Sequence, residues 1–140
     1  MVSFISLFAV QGDEHARWQA AFEQETGVKL GDAGYDAALA RYTAVHPEPR
    51  ATIADVADHV EHVRDVAGVD HVGIGADFFG EPAWMAAGLE DVASYPALFA
   101  ELIRRGWKEE ALARLARGNV LRVLREAEQA AARIRQERPA

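Results

Sequence analysis

The sequence predicts an α/β fold with parallel strands and mostly helical content, and three observations carry that prediction. The opening run Met1–Val10 is apolar on both faces and rich in β-branched or aromatic residues, as a buried parallel strand is. A second short run, His71–Asp77, has the same character with small residues at alternate positions. Between and after these runs the apolar spacing is that of helices, and strands that alternate with helices require right-handed crossovers and a parallel sheet.

Each element follows from its residues. The first strand is placed at about 3–10, because Gln11-Gly12-Asp13 breaks the run. Asp13 then caps a helix to Glu25 that carries Trp18, Ala21 and Phe22 at helical spacing. Gly27, Gly31 and Gly34 punctuate the chain before a second helix at about Tyr35–Val45, so residues 13–46 form a helical insert. His46-Pro47-Glu48-Pro49 ends it, since proline cannot continue a helix and restrains the residue before it. A helix over 52–67 opens on Thr52 and Asp55, a capping box one methylene shorter than the usual glutamate version. Ile53, Val56, Ala57, Val60, Val63 and Val66 or Ala67 form its apolar stripe, and Gly68 closes it. The second strand occupies 71–77, and Phe78–Val92 reads as a long loop. Terminal helices fill about 94–138, the first capped by Ser94 and stopped by Gly106, the last set off by Gly118-Asn119.

Composition narrows the chemistry. There are 22 acidic and 15 basic side chains, a net charge of -7, and no cysteine. The missing thiols exclude a disulfide scaffold, a thiolate zinc site and a cysteine nucleophile. The negative charge argues against nucleic acid, whose phosphates reward a basic surface. Residues 1–100 carry five basic and sixteen acidic side chains, whereas 101–140 carry ten and six, which reads as a solvated arginine-rich terminal helix or as one end expecting an acidic neighbour. The apolar opening is too short to span a bilayer and has neither the basic start nor the cleavage site of a signal peptide, so a cytoplasmic protein without a membrane partner is expected.

Few residues carry a chemical signal. Gly73-Ile74-Gly75-Ala76-Asp77-Phe78 begins like a dinucleotide fingerprint, but Phe78 stands where the third glycine belongs and no helix starts there. Asp77 is placed at the C-terminal end of a buried strand, the end that holds active sites in parallel α/β folds. It serves acid/base or metal chemistry there, or caps the following loop through backbone N–H groups. His59 and His62, beside Asp55, Asp58, Glu61 and Asp65, have metal-ligand spacing, yet they are placed opposite the valine stripe and so read as surface pairs. His71 starts the second strand, away from the catalytic end, and Trp18, Trp84 and Trp107 read as packing residues. No Ser-His-Asp arrangement, G-x-S-x-G or P-loop is present.

The run ATIADVADHVEHVRDVAGVDHVGIGADFFG, followed by GLEDVASYPALFAELIRRGWKEEALARLARGNVLRVL, resembles the membrane (renal) dipeptidase family of zinc metallopeptidases. The opening VSFISLF is similar to that family's penultimate strand, and the insert to about Pro49 matches loosely. The resemblance implies a partial TIM (β/α)₈ barrel consisting of its last two βα units, strands 7 and 8. It also implies hydrolysis of dipeptides with two zinc ions in the complete enzyme. The family's H-x-D metal motif, bridging glutamate, further histidine ligands and substrate-binding arginine all precede the region matched here and have no counterpart in this sequence. Asp77 is the functional residue that carries over, beside the zinc pair and in acid/base work. The family's D-F-D-G reads Asp77-Phe78-Phe79-Gly80 here, with Phe79 in place of the second acid.

The expectation for residues 1–140 is therefore the C-terminal portion of a dipeptidase domain, a gene fragment or a start assigned too late. By itself it is expected to bind no zinc and to be inactive, with a dipeptide as substrate only if the barrel is completed. The alternatives are a subunit of a split dipeptidase completed by another chain, or a non-catalytic module that pairs its exposed edges as a homo-oligomer.

Overall fold

The structure, a computed structural model, describes residues 1–9, 14–78 and 82–137. Asp13 with its expected cap, Phe79-Gly80 and the helix end at Arg138 lie outside the described residues. Seven helices follow in order: α1 (Ser6–Ala9), α2 (Glu14–Thr26), α3 (Tyr35–Thr43), α4 (Ile53–Ala67), α5 (Tyr95–Arg104), α6 (Glu109–Ala113) and α7 (Asn119–Glu137). These are the α-helices among the described residues; short 3₁₀ turns join several of them.

The expected partial TIM barrel is corrected: among the described residues there is no strand and no sheet, only isolated bridges. Of the stretches expected as strands at 3–10 and 71–77, only the chain at residues 2–4 and 73–76 lies side by side and parallel, through a single bridge between Val2 and Ile74. Val2 N–H donates to Gly73 O at 2.7 Å, Gly75 N–H to Val2 O at 2.9 Å and Phe4 N–H to Ala76 O at 3.1 Å. The ladder stops there for a local reason. Phe4 O accepts instead from Ala86 N–H at 2.8 Å, and Asp77 turns the partner segment away with φ 64. Ser6, expected mid-strand, begins α1, and its Oγ accepts from Ala51 N–H at 2.7 Å. His71 ends a 3₁₀ turn rather than starting a strand.

α4 has both bonds of the Thr52–Asp55 capping box, with Thr52 N–H donating to Asp55 Oδ2 at 2.7 Å, and Gly68 closes the helix. Val56, Ala57 and Val60 are fully buried, but Val66 is 74% exposed, so the stripe ends one turn early. At α5 the expected cap is corrected. Ser94 makes no side-chain cap bond; Asp91 caps the preceding 3₁₀ turn by accepting from Ala93 N–H at 2.8 Å. Nor does Gly118-Asn119 divide two helices. Arg114–Gly118 forms a π-helical turn that leads straight into α7.

The main core joins Phe4, Val60, Val72, Leu98, Leu102 and Leu115 from segments far apart in sequence. The supposed loop after Phe78 contributes to it, since Met85, Ala86 and Leu89 are buried at 1% exposure or less. A second, smaller cluster lies between α2 and α3, where Phe22, Ala38 and Tyr42 pack with Trp18, Val28 and Tyr35. α7 stands apart from both. Of its 19 residues only Asn119 is buried, and Val120, Leu121, Val123, Leu124 and Ile134 are exposed. No helix among the described residues is long and apolar enough to cross a membrane.

Candidate active site

The parallel pairing of residues 2–4 with 73–76 fixes which groups share one end of the molecule. Phe4 is opposite Ala76, so the turn at Ile5–Leu7 and the pair Asp77-Phe78 leave the paired segments on the same side. The segment after Pro82 folds back over this end. Met85 bridges Ile5, Ala87 bridges Thr52, and Ala87 N–H donates to Ala51 O at 2.7 Å.

Asp77 is exposed there, in the left-handed backbone region at φ 64. It is the non-glycine residue with positive φ among the described residues. Aspartate tolerates this region better than most side chains, but the conformation still costs about 1 kcal/mol or more relative to the right-handed one. Such strain persists where neighbours enforce it, and functional sites are where it gathers. The enforcement is visible next door. The Phe78 ring meets Phe4 edge-on at 5.8 Å and Tyr95 at 5.8 Å, while Phe4 and Tyr95 are 5.5 Å apart. This triangle of rings anchors Phe78 and so fixes the direction in which the chain leaves Asp77.

A hollow of about 340 Å³ opens next to Ile5, and Asp77 is not among its lining residues. Ile5, Ser6 and Leu7 form one wall, Glu48, Pro49 and Arg50 another, and Trp84 flanks them. Arg50 is held in place: its Nε–H donates to Met85 O and its Nη2 to Glu90 Oε1, each at 2.8 Å. The Gly88 N–H at 3.0 Å, together with Arg50, keeps the Glu90 carboxyl below its ordinary pKa. Trp84 is 57% exposed, which corrects its reading as a packing residue. Trp107 is buried, and the Trp18 indole donates to His46 O at 2.9 Å.

Of the histidines of α4, His62 is exposed as expected, whereas His59 departs from that expectation. His59 is half-buried, and both His59 and His62 line a hollow of about 400 Å³ with Met1, Val2, Ser3 and Phe8. Their acidic neighbours are engaged elsewhere. Asp55 completes the helix cap, Asp65 pairs with Arg64 at 2.8 Å, and Asp58 and Glu61 turn to Arg105. Among the described residues no group of three or more His, Asp or Glu side chains converges to hold a metal ion. The described residues thus do not fit a zinc pair.

Two groups that the sequence did not single out hold the scaffold behind this end. Arg105 donates to Glu101 at 2.7 Å, to Glu61 at 2.9 Å, to Ala54 O at 3.0 Å and to Asp58. Trp107 Nε1–H donates to the same Glu61 at 3.1 Å, and the Arg64 guanidinium lies 5.1 Å over its ring. Arg104 and Arg105 together hold the Glu101 carboxyl down to about 2, and these carboxylates push Arg105 up. The RRGW run therefore locks α5 to α4. Asn119 is the second group: its side-chain amide donates to Val69 O and Val72 O, both at 2.7 Å, and so pins the turn that feeds the segment ending in Asp77. The family-like words RRGW and GN were the available signal for both; nothing in the sequence marked Arg50 or Trp84.

The sequence profile described as membrane dipeptidase (peptidase family M19) matches residues 2–138. Dipeptidase 3 of Rattus norvegicus is 48% identical over 79 residues, 56% of this chain and 16% of the rat protein. Dipeptidase 3 of Homo sapiens is 43% identical over 89 residues, 64% of this chain and 18% of the human one. Dipeptidase tcpJ of Claviceps purpurea is 46% identical over 83 residues, 59% of this chain and 19% of its own. The chain spans less than a fifth of the length of these three relatives. Among solved structures, the probable dipeptidase PvdM from Pseudomonas aeruginosa superposes with a TM-score of 0.58 at 21% identity, covering 86% of this chain and 34% of that one. At that identity the likeness is one of fold.

Proposed function

The chain belongs to the membrane dipeptidase family, peptidase family M19, and from that premise we propose that it supplies the Asp77-bearing segment of a zinc-dependent dipeptide hydrolase and turns over no substrate alone. The observation that carries the reading is Asp77 itself, an exposed residue in a strained backbone conformation at the end of a partly buried extended segment. In the complete enzyme the Asp77 carboxylate takes a proton from the attacking water and delivers it to the leaving amine. The zinc ligands that the family requires have no counterpart here, so they belong to polypeptide that this chain does not contribute.

A second reading, the split enzyme, is favoured by one observation. The apolar side chains of α7, from Val120 to Ile134, are exposed, as they would be if another polypeptide completed the fold against them. The same experiment serves both readings. The purified chain is assayed on simple dipeptides with zinc, alone and after mixing with a polypeptide that carries the rest of the family fold. The expected result is no turnover alone and turnover on mixing that Asp77→Asn lowers by about 100-fold or more. Turnover by the chain alone that Asp77→Ala abolishes overturns the proposal.

A further inference from the structure

The α2–α3 insert has its own aromatic cluster, and the strap 46–50 ties its exit to the rest of the molecule. Pro47 and Pro49 stiffen this strap. Arg50 fastens its far end by donating to Met85 O and Glu90 Oε1, each at 2.8 Å. The strap runs along α2 and is clipped to it at three points. The Trp18 indole N–H donates to His46 O at 2.9 Å. His46 Nε2 lies 3.8 Å from Glu25 Oε2 in the last turn of α2, and His15 Nδ1, in the first turn, lies 3.1 Å from Glu48 Oε1. Both imidazoles also stack on rings of the cluster, His15 on Trp18 at 6.0 Å and His46 on Tyr42 at 4.4 Å. Two of the three clips thus set an imidazole between a carboxylate and an aromatic face, and both of those neighbours attract a charged imidazolium.

We propose that the pairs His15–Glu48 and His46–Glu25 form a proton-operated clasp, which closes the insert onto its strap at mildly acidic pH and releases it as the pH rises. Histidine is the side chain whose charge ordinarily changes between about pH 5 and 8, a window in which carboxylates are ordinarily ionised. In the acidic part of the window both contacts are ion pairs. In the alkaline part the Trp18 bond to His46 O is the clip that remains. Three other charged or titratable groups face these contacts. Arg41 and Tyr42 border the hollow that Glu25 and His46 line, and Arg50 shares a wall with Glu48. Arginine keeps its charge throughout the window. Burial and the Glu25 charge push the Tyr42 hydroxyl up, away from it. The imidazoles are therefore the groups that switch. Glu48 and Pro49 also wall the 340 Å³ hollow, so the clasp sets how firmly that wall is backed.

The test is amide hydrogen exchange on the full ¹⁵N-labelled chain, read by NMR as protection factors at about pH 5.5 and about pH 7.5 so that intrinsic rates cancel. An exposed ion pair shifts an equilibrium by about 1.4- to 5-fold. With two pairs, protection at Phe22 and Tyr42 is expected to fall by about threefold or more from the lower pH to the higher. Protection at Val60 and Leu102, in the main core, stays constant. In the wild type the fall must follow the ring signals of His15 and His46, not those of His59, His62 or His71. The double variant His15→Gln/His46→Gln is expected to show the low protection at both pH values, and so is Glu25→Gln/Glu48→Gln. Unchanged protection at Val60 and Leu102 reports that each variant is folded. Protection of the wild-type insert that is independent of pH, or greater at the higher pH, overturns the proposal. So does a pH dependence that survives in the histidine variant, because it then belongs to the other three histidines. A fall that spreads equally to Val60 and Leu102 overturns it too, since the whole chain then loosens and no clasp operates.

Discussion

The two hydrophobic clusters of this chain are built by opposite means. The main core brings together Phe4, Val60, Val72, Leu98 and Leu115, so its contacts close over long loops, and most of its large members are aliphatic. The cluster between α2 and α3 is local and aromatic. Phe22 meets Tyr35 at 5.5 Å and Tyr42 at 5.3 Å, and Trp18 meets Tyr42 at 5.5 Å, all within one helical hairpin. Its exit is held by His46 stacked on Tyr42 at 4.4 Å, and His15 Nδ1 lies 3.1 Å from Glu48. The main core carries the paired segments and Asp77; the hairpin sits to one side of them. Stability and site are thus coupled in one cluster and separable in the other.

The sharpest way to break this comparison is to cut a cavity in each cluster. Leu98→Ala, at a fully buried position, is expected to cost about 3–5 kcal/mol and to unfold the whole chain cooperatively. Phe22→Ala, equally buried, is expected to melt the hairpin while protection at Val72 and Leu98 amides persists. Hydrogen exchange on both variants decides the matter. Loss of protection across the main core in Phe22→Ala would show that the clusters fold as one unit.

A smaller effect sharpens how the main core is fastened. Asn119→Ala leaves the buried Val72 O and the part-buried Val69 O without their donor, at a cost of about 2–3 kcal/mol. Urea unfolding monitored by the Trp107 emission reads it.

The acid dependence should also divide the two regions. Glu101 is held at about 2, below its ordinary 4.5, because its charged form bonds Arg104 and Arg105. A depressed carboxyl stabilises the fold above the unfolded value, and that contribution fades as pH falls from about 4.5 towards 2. The melting temperature of the wild type should therefore drop over this window more steeply than that of Glu101→Gln. Parallel curves would show that the Arg105 network adds nothing to the fold.

The smallest expected effect has the opposite sign. Asp77→Gly removes the penalty of a side chain at φ 64 and should stabilise the chain by up to about 1 kcal/mol while removing the proposed proton carrier. A thermal melt that is unchanged or lower would show that Asp77 is held by contacts worth more than its strain.

Much of the helical framework was legible in the residues themselves. Thr52, Asp55 and Gly68 mark both ends of α4, because capping is chemistry between neighbours in sequence and needs no tertiary information. The family-like words around Asp77 were equally plain, and the match to residues 2–138 bears the family out. What sequence could not decide was everything that depends on who stands beside whom. The runs at 3–10 and 71–77 have the composition of strands, yet a strand is a pairing, and here Ala86 takes the Phe4 carbonyl that a longer ladder would have used. Ser94 looks like a cap and Asp91 is one, since the geometry of the turn selects between them. Residues 82–89 look like a loop, but the space under them is apolar, and Met85, Ala86 and Leu89 fill it. Trp84 looks like a core residue until the same fold-back leaves it outside. Composition determined which residues had to be buried or capped. Only the tertiary structure, through competition for a limited set of hydrogen-bond partners and a limited interior, decided which of them were.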